Sequence, residues 1–148
     1  MTKNARMVRE IFDTLYKISS RKTTEGYTYY LMQSLKEDLH DQYPFLSSFH
    51  FVDTRFSEEE TFVYWKKNVE KIKTEKLCYA LKDYIQKVNQ SLGKNAGPFF
   101  FKEISSRISE TSNELMKSYG IDLMIMQLEY EIDTLEKRII KTTKNHKQ

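Results

Sequence analysis

The segment Ile121 to Lys141, IDLMIMQLEYEIDTLEKRIIK, decides how the rest of the chain is read. With Ile125 at heptad position a, Ile132 and Ile139 also fall at a, and Ile121, Leu128 and Leu135 fall at d. Apolar side chains at this spacing form a seam along one side of a helix. β-Branched Ile at a with Leu at d favours two parallel strands. The flanks are charged: Glu129, Glu131, Glu136, Lys137 and Arg138. The seam must be buried, either on another helix of the same chain or on the same helix of a second chain. It covers about three heptads, the shortest run that supports a coiled coil. A parallel pair would also bring Glu131 at g toward Glu136 at e of its mate, a contact of like charges. Leu123, Met124 and Met126 add apolar surface outside the seam, which predicts burial of the first two turns on several sides and of the later turns on one.

Composition agrees with helices. Charged residues make up 30% of the 148, aromatic residues 14%, and there are only four Gly and two Pro to interrupt a helix. This length predicts one domain, residues 1–148, with a core that needs neither metal nor disulfide. The net charge of +3 is the balance of 24 bases and 21 interleaved acids, a salted surface rather than a nucleic-acid-binding composition. Cys78 is the sole cysteine, so no intrachain disulfide forms, which suits a reducing compartment. No apolar signal core opens the chain, and no run has the length of a membrane span. These features predict a cytoplasmic protein without membrane association.

Working outward, Met7, Val8, Ile11, Phe12, Leu15 and Ile18 form a wide stripe on a helix over about residues 4–20. A second helix is expected over about 27–42, with Tyr27, Tyr30, Leu31, Ser34, Leu35 and Leu39 inward and Pro44 as its stop. These two form an N-terminal pair over about 4–42. Near 47–55 the parity of Phe49, Phe51 and their neighbours predicts a short extended segment: either a strand, which needs a partner in another chain or in a misread region to satisfy its backbone, or an extended loop pressed on the bundle. Ser57 with Glu60 has capping-box spacing and predicts a helix through Phe62, Trp65, Val69 and Ile72. The apolar stripe then shifts phase, so a break is expected near Thr74 before the helix resumes to Leu92, a single long helix being the alternative. Gly93 to Pro98 is a loop, and a helix over about 98–119 follows. Gly120 closes that helix and Asp122 starts the last one. A bundle over about 57–141 and a basic tail over 142–148 complete the prediction.

Chemistry-bearing patterns are sparse. His40-Asp41-Gln42-Tyr43-Pro44-Phe45-Leu46 resembles the phosphoacceptor box of sensor histidine kinases over about seven residues, but no glycine-rich nucleotide-binding half follows. Glu37 and His40 have Glu-x-x-His spacing without a second copy, and no zinc-type or phosphate-loop motif occurs. No catalytic, cofactor or metal residues are therefore expected. Phe99, Phe100 and Phe101 cannot all face one side of a helix and are candidates for an apolar ligand pocket or partner anchor. Lys66, Lys67, Lys71 and Lys73, on the solvent side of a helix bearing Phe62 and Trp65, are candidate nucleic-acid contacts.

The expected architecture is all-α: five or six helices in an antiparallel bundle with at most one short extended segment. The expected function is a non-enzymatic regulatory or adaptor module that forms a homodimer, or binds a protein partner, through Ile121, Ile125, Leu128, Ile132, Leu135 and Ile139. A nucleic-acid-binding regulator and a sensory domain for an apolar ligand are the alternatives.

Overall fold

The computed structural model describes residues 1–58, 60–66 and 68–146. It is a mostly helical fold. Six α-helices are present among the described residues: α1 (Lys3–Lys22), α2 (Glu25–Leu39), α3 (Thr74–Leu92), α4 (Phe100–Arg107), α5 (Glu110–Lys117) and α6 (Leu123–His146). A two-stranded antiparallel sheet, β1 (Phe49–Phe51) with β2 (Val63–Trp65), lies between α2 and α3 in sequence.

α1 is the hub. It touches α2, α3, α4, α5 and β2, and Met7, Val8, Ile11, Phe12, Leu15 and Ile18 are all fully buried. The predicted stripe is therefore there, but it serves as the centre of the core rather than as one face of an N-terminal pair docked on a separate bundle. α2 also differs in rotation. Its buried residues are Gly26, Thr28, Met32, Leu35 and Leu39, whereas Tyr27 and Tyr30 are exposed. Thr28 explains the turn of the helix: its hydroxyl donates to Ser19 Oγ at 2.7 Å, so the contact with α1 is a buried polar one that hydropathy does not register.

The extended segment has its partner inside the chain. Phe49 pairs with Trp65, His50 with Tyr64 and Phe51 with Val63. The described residues of 57–72 accordingly form no α-helix, which corrects the capping-box reading of Ser57 and Glu60; Glu59 and Lys67 lie outside the described residues. The cause is local. Thr61-Phe62-Val63-Tyr64-Trp65 is β-branched and aromatic throughout, which suits a pleated surface. Phe62 is buried against Phe51 and Tyr16, at ring separations of 5.3 Å and 4.3 Å. Phe62 reaches the core and Trp65 is half-buried, from a strand and its approach rather than from a helix. α3 then starts at Thr74, the predicted break point, and runs to Leu92.

The helix expected over 98–119 is two. Ile108 is extended (φ −88°, ψ 160°), and Ser109 caps α5 by accepting from the Ser112 amide at 3.2 Å. Glu10 of α1 secures the break. Its Oε2 accepts from the Ser109 amide (3.1 Å), the Ser109 hydroxyl (2.9 Å) and the Ser112 hydroxyl (2.6 Å).

Candidate interaction surface on the last helix

α6 is delivered by a turn whose chemistry is visible in the residues. Gly120 has φ +79°, the left-handed conformation that side chains disfavour. Its amide donates to the Lys117 carbonyl at 2.9 Å, and the Ile121 amide donates to Met116 at 3.0 Å, which is a Schellman closure with Met116 and Ile121 both buried. Asp122 Oδ1 then accepts from the amides of Met124 (2.9 Å) and Ile125 (3.3 Å) and starts α6.

The helix lies chiefly on α4. Buried or half-buried on that side are Leu123, Met126, Gln127, Tyr130 and Thr134. In the heptad frame these are positions f, b, c, f and c, three adjacent columns of the helical wheel. Gln127, 2% exposed, locks the rotation. Its Nε2 donates to the Pro98 carbonyl (2.7 Å) and to Glu131 Oε1 (3.2 Å), while its Oε1 accepts from the Lys102 amide in the first turn of α4 (3.1 Å). Phe101 of α4 meets Tyr130 at a ring separation of 6.0 Å. α4 is itself tied to α1: Glu103 accepts from Arg21 at 2.7 Å and from Arg107 at 2.9 Å. The hydrogen bond from Arg21 is the main reason the Glu103 carboxyl is held below its usual range.

Fixing b, c and f against the body leaves a, d, e and g outward. Ile125, Leu128, Ile132, Leu135 and Ile139 are between 54% and 58% exposed. Of the six seam residues only Ile121 is buried, at 3%. The expectation that the first two turns are covered on several sides is therefore corrected: they are covered on one, the side opposite the seam. Tyr130 and Thr134 continue that contact through the next turn, and the turns from Leu135 on are covered on none. From Leu135 to Asn145 every residue is exposed, so α6 leaves the body as an arm about 16 Å long.

The phenylalanine triplet separates by depth. Phe100 and Phe101 are core, and Phe99 is 56% exposed. Phe99 borders an open groove of about 510 Å³ with Pro98, Tyr130, Leu135 and Arg138, continuous with the seam. Lys66, Lys71 and Lys73 are exposed, but they sit at the end of β2, in a 3-10 turn (Val69–Lys71) and just before α3. The basic helix face expected of them is absent, and Lys67 lies outside the described residues. His40 is the exposed C-cap of α2, with Asp41 Oδ1 3.8 Å from its Nδ1. Cys78 is buried, and burial pushes its thiol up to about 11. Among the described residues no group of three His, Cys, Asp or Glu side chains is placed to hold a metal ion, and no helix is long and apolar enough to cross a membrane.

Sequence reasoning located the seam but missed Gln127, which determines the side the seam faces. A polar residue inside an apolar run, LMIMQLEY, was the available signal. Comparison with protein-family models, with curated proteins and with solved structures returned no match, so any functional reading rests on the chain's own residues.

Proposed function

We propose that this chain is a self-associating helical module, regulatory or adaptor in role, whose last helix closes its seam on a second copy. One observation carries the reading: α6 spends its b, c and f columns on its own body and holds an aliphatic a/d column in solvent. Contiguous apolar surface of this kind, rimmed by charge, is characteristic of association sites. The arm adds a second reason. A helical stretch as short as residues 135–145 is marginal in water by itself, and pairing along its apolar side supplies what it lacks.

Such a dimer joins two folded bodies through a rod and leaves their other faces free, which is what an adaptor requires. Size-exclusion chromatography with light scattering tests it. At micromolar concentration the expected mass is twice that of the chain, and Ile132→Asp is expected to halve it while leaving the far-ultraviolet circular dichroism per residue nearly unchanged. A wild-type mass of one chain, the same as that of Ile132→Asp, would remove the reading.

A further inference from the structure

We infer that the second copy lies antiparallel along α6, with Ile132 against Leu135 of the partner subunit and Leu128 against Ile139 of the partner subunit. This deepens the self-association reading and rests on it. Ile at a and Leu at d favour a parallel pair when side-chain shape alone decides. Charge decides otherwise here. Residues 122–136 carry five acids (Asp122, Glu129, Glu131, Asp133 and Glu136) and no base. Residues 137–145 carry four bases (Lys137, Arg138, Lys141 and Lys144) and no acid. A parallel mate sets acid block on acid block and base block on base block. An antiparallel mate lays the basic arm of each copy along the acidic, body-supported half of the other. Lys82 of α3, beside Asp122 and Glu129, and Lys94, beside Glu131, offset part of that acidity but not five carboxylates.

The rim agrees. In parallel register Glu131 faces the partner's Glu136, and Arg138 faces the partner's Thr143 with no acid to meet. In the antiparallel register g faces g, so Glu131 meets the partner's Arg138 twice by symmetry. The cost is that Glu129 then approaches the partner's Glu136, also twice by symmetry. Shifting the antiparallel register by one heptad either way stacks identical charges at the two-fold axis, Glu131 on Glu131 or Arg138 on Arg138. The chosen register makes four aliphatic layers, closed at each end by Ile125 against Thr142 of the partner subunit. It uses none of Ile121, which the chain has already buried.

Pulsed dipolar spectroscopy on the full chain tests the orientation, with nitroxides on Asp133→Cys and, separately, on Lys144→Cys; Cys78 is buried and stays in place. Position 133 lies beside the two-fold axis, so its labels sit roughly 15–25 Å apart in either orientation. Labels at 144 are expected about 35 Å apart in the antiparallel dimer, since some 21 residues of helical rise separate them. Distances of 15–25 Å at both positions would overturn the antiparallel arrangement while leaving self-association standing. No dipolar coupling at 133 would overturn both. Salt gives an independent check: between about 0.05 and 0.5 M the dissociation constant is expected to rise severalfold. A dimer that tightens with salt would contradict the inference.

Discussion

Gln127 shows how one side chain sets the orientation of a surface. Its amide makes three hydrogen bonds while almost fully buried, two of them to the backbone at the start of α4. With Gln127 at c held there and Met126 at b and Tyr130 at f beside it, the hundred-degree step of the helix puts a and d on the far side. Gln127→Ala leaves the Pro98 carbonyl and the Lys102 amide without partners, and an unmade buried hydrogen bond costs about 1–3 kcal/mol. Urea denaturation is expected to show a loss of that order. Cys78 is a contrasting case, a side chain used for packing. Burial pushes its thiol up to about 11, against about 8.5 in an unfolded chain. The folded state thus keeps a proton that the unfolded state gives up. The corresponding stability is whole below about pH 8.5 and is lost as pH rises toward about 11. A thiol reagent at pH 8 is expected to leave the native chain unmodified and to react once urea unfolds it.

Among the elements, the short break at Ile108 has the clearest physical cause. Glu10 reaches from α1 to accept from two hydroxyls and one amide at the start of α5. Glu10→Ala removes the shared acceptor, leaving the Ser109 hydroxyl only Ser112 Oγ at 3.2 Å, and is expected to lower stability by roughly 2 kcal/mol, read by chemical denaturation. Its effect on dimer affinity is expected to be small, since the site lies away from the seam. The same break explains why parts of the fold were illegible in the residues. Ile104, Ile108, Thr111 and Leu115 keep helical spacing straight through it, because Ile108 is buried whether or not the helix continues. The interruption depends on Glu10, about a hundred positions away. Residues 57–72 misled for a related reason. Phe62, Trp65 and Val69 suit a helix by spacing, and only the need of Phe49–Phe51 for a partner strand reveals the sheet. By contrast, the Gly120 closure, the Asp122 cap and the start at Thr74 rest on nearest neighbours, and these were legible. The seam was legible as a pattern. Its outward direction was not, because that depends on the tertiary contacts of Gln127.

At the scale of the whole molecule, a core built around α1 carries a helix that outruns it. The body ends near Thr134 while α6 continues to His146. On the proposed self-association, this free arm with its aliphatic side is one half of a dimer. Substitution within the seam should therefore separate folding from association. Leu135 is 58% exposed, so the unfolding midpoint of Leu135→Asp, measured at a concentration where the wild type is monomeric, is expected to stay close to that of the wild type. Its dissociation constant is expected to rise at least about a hundredfold, about 2.8 kcal/mol at about 1.4 per decade.

Hydrogen–deuterium exchange of residues 135–145, followed over a range of protein concentrations, tests the central claim most directly because it reads the seam itself. The amides of this arm are expected to be protected at high concentration and to exchange freely on dilution, with the amides of α1 protected throughout. Exchange in the arm that is the same at every concentration, and the same in Leu135→Asp, would contradict closure of α6 on a second chain.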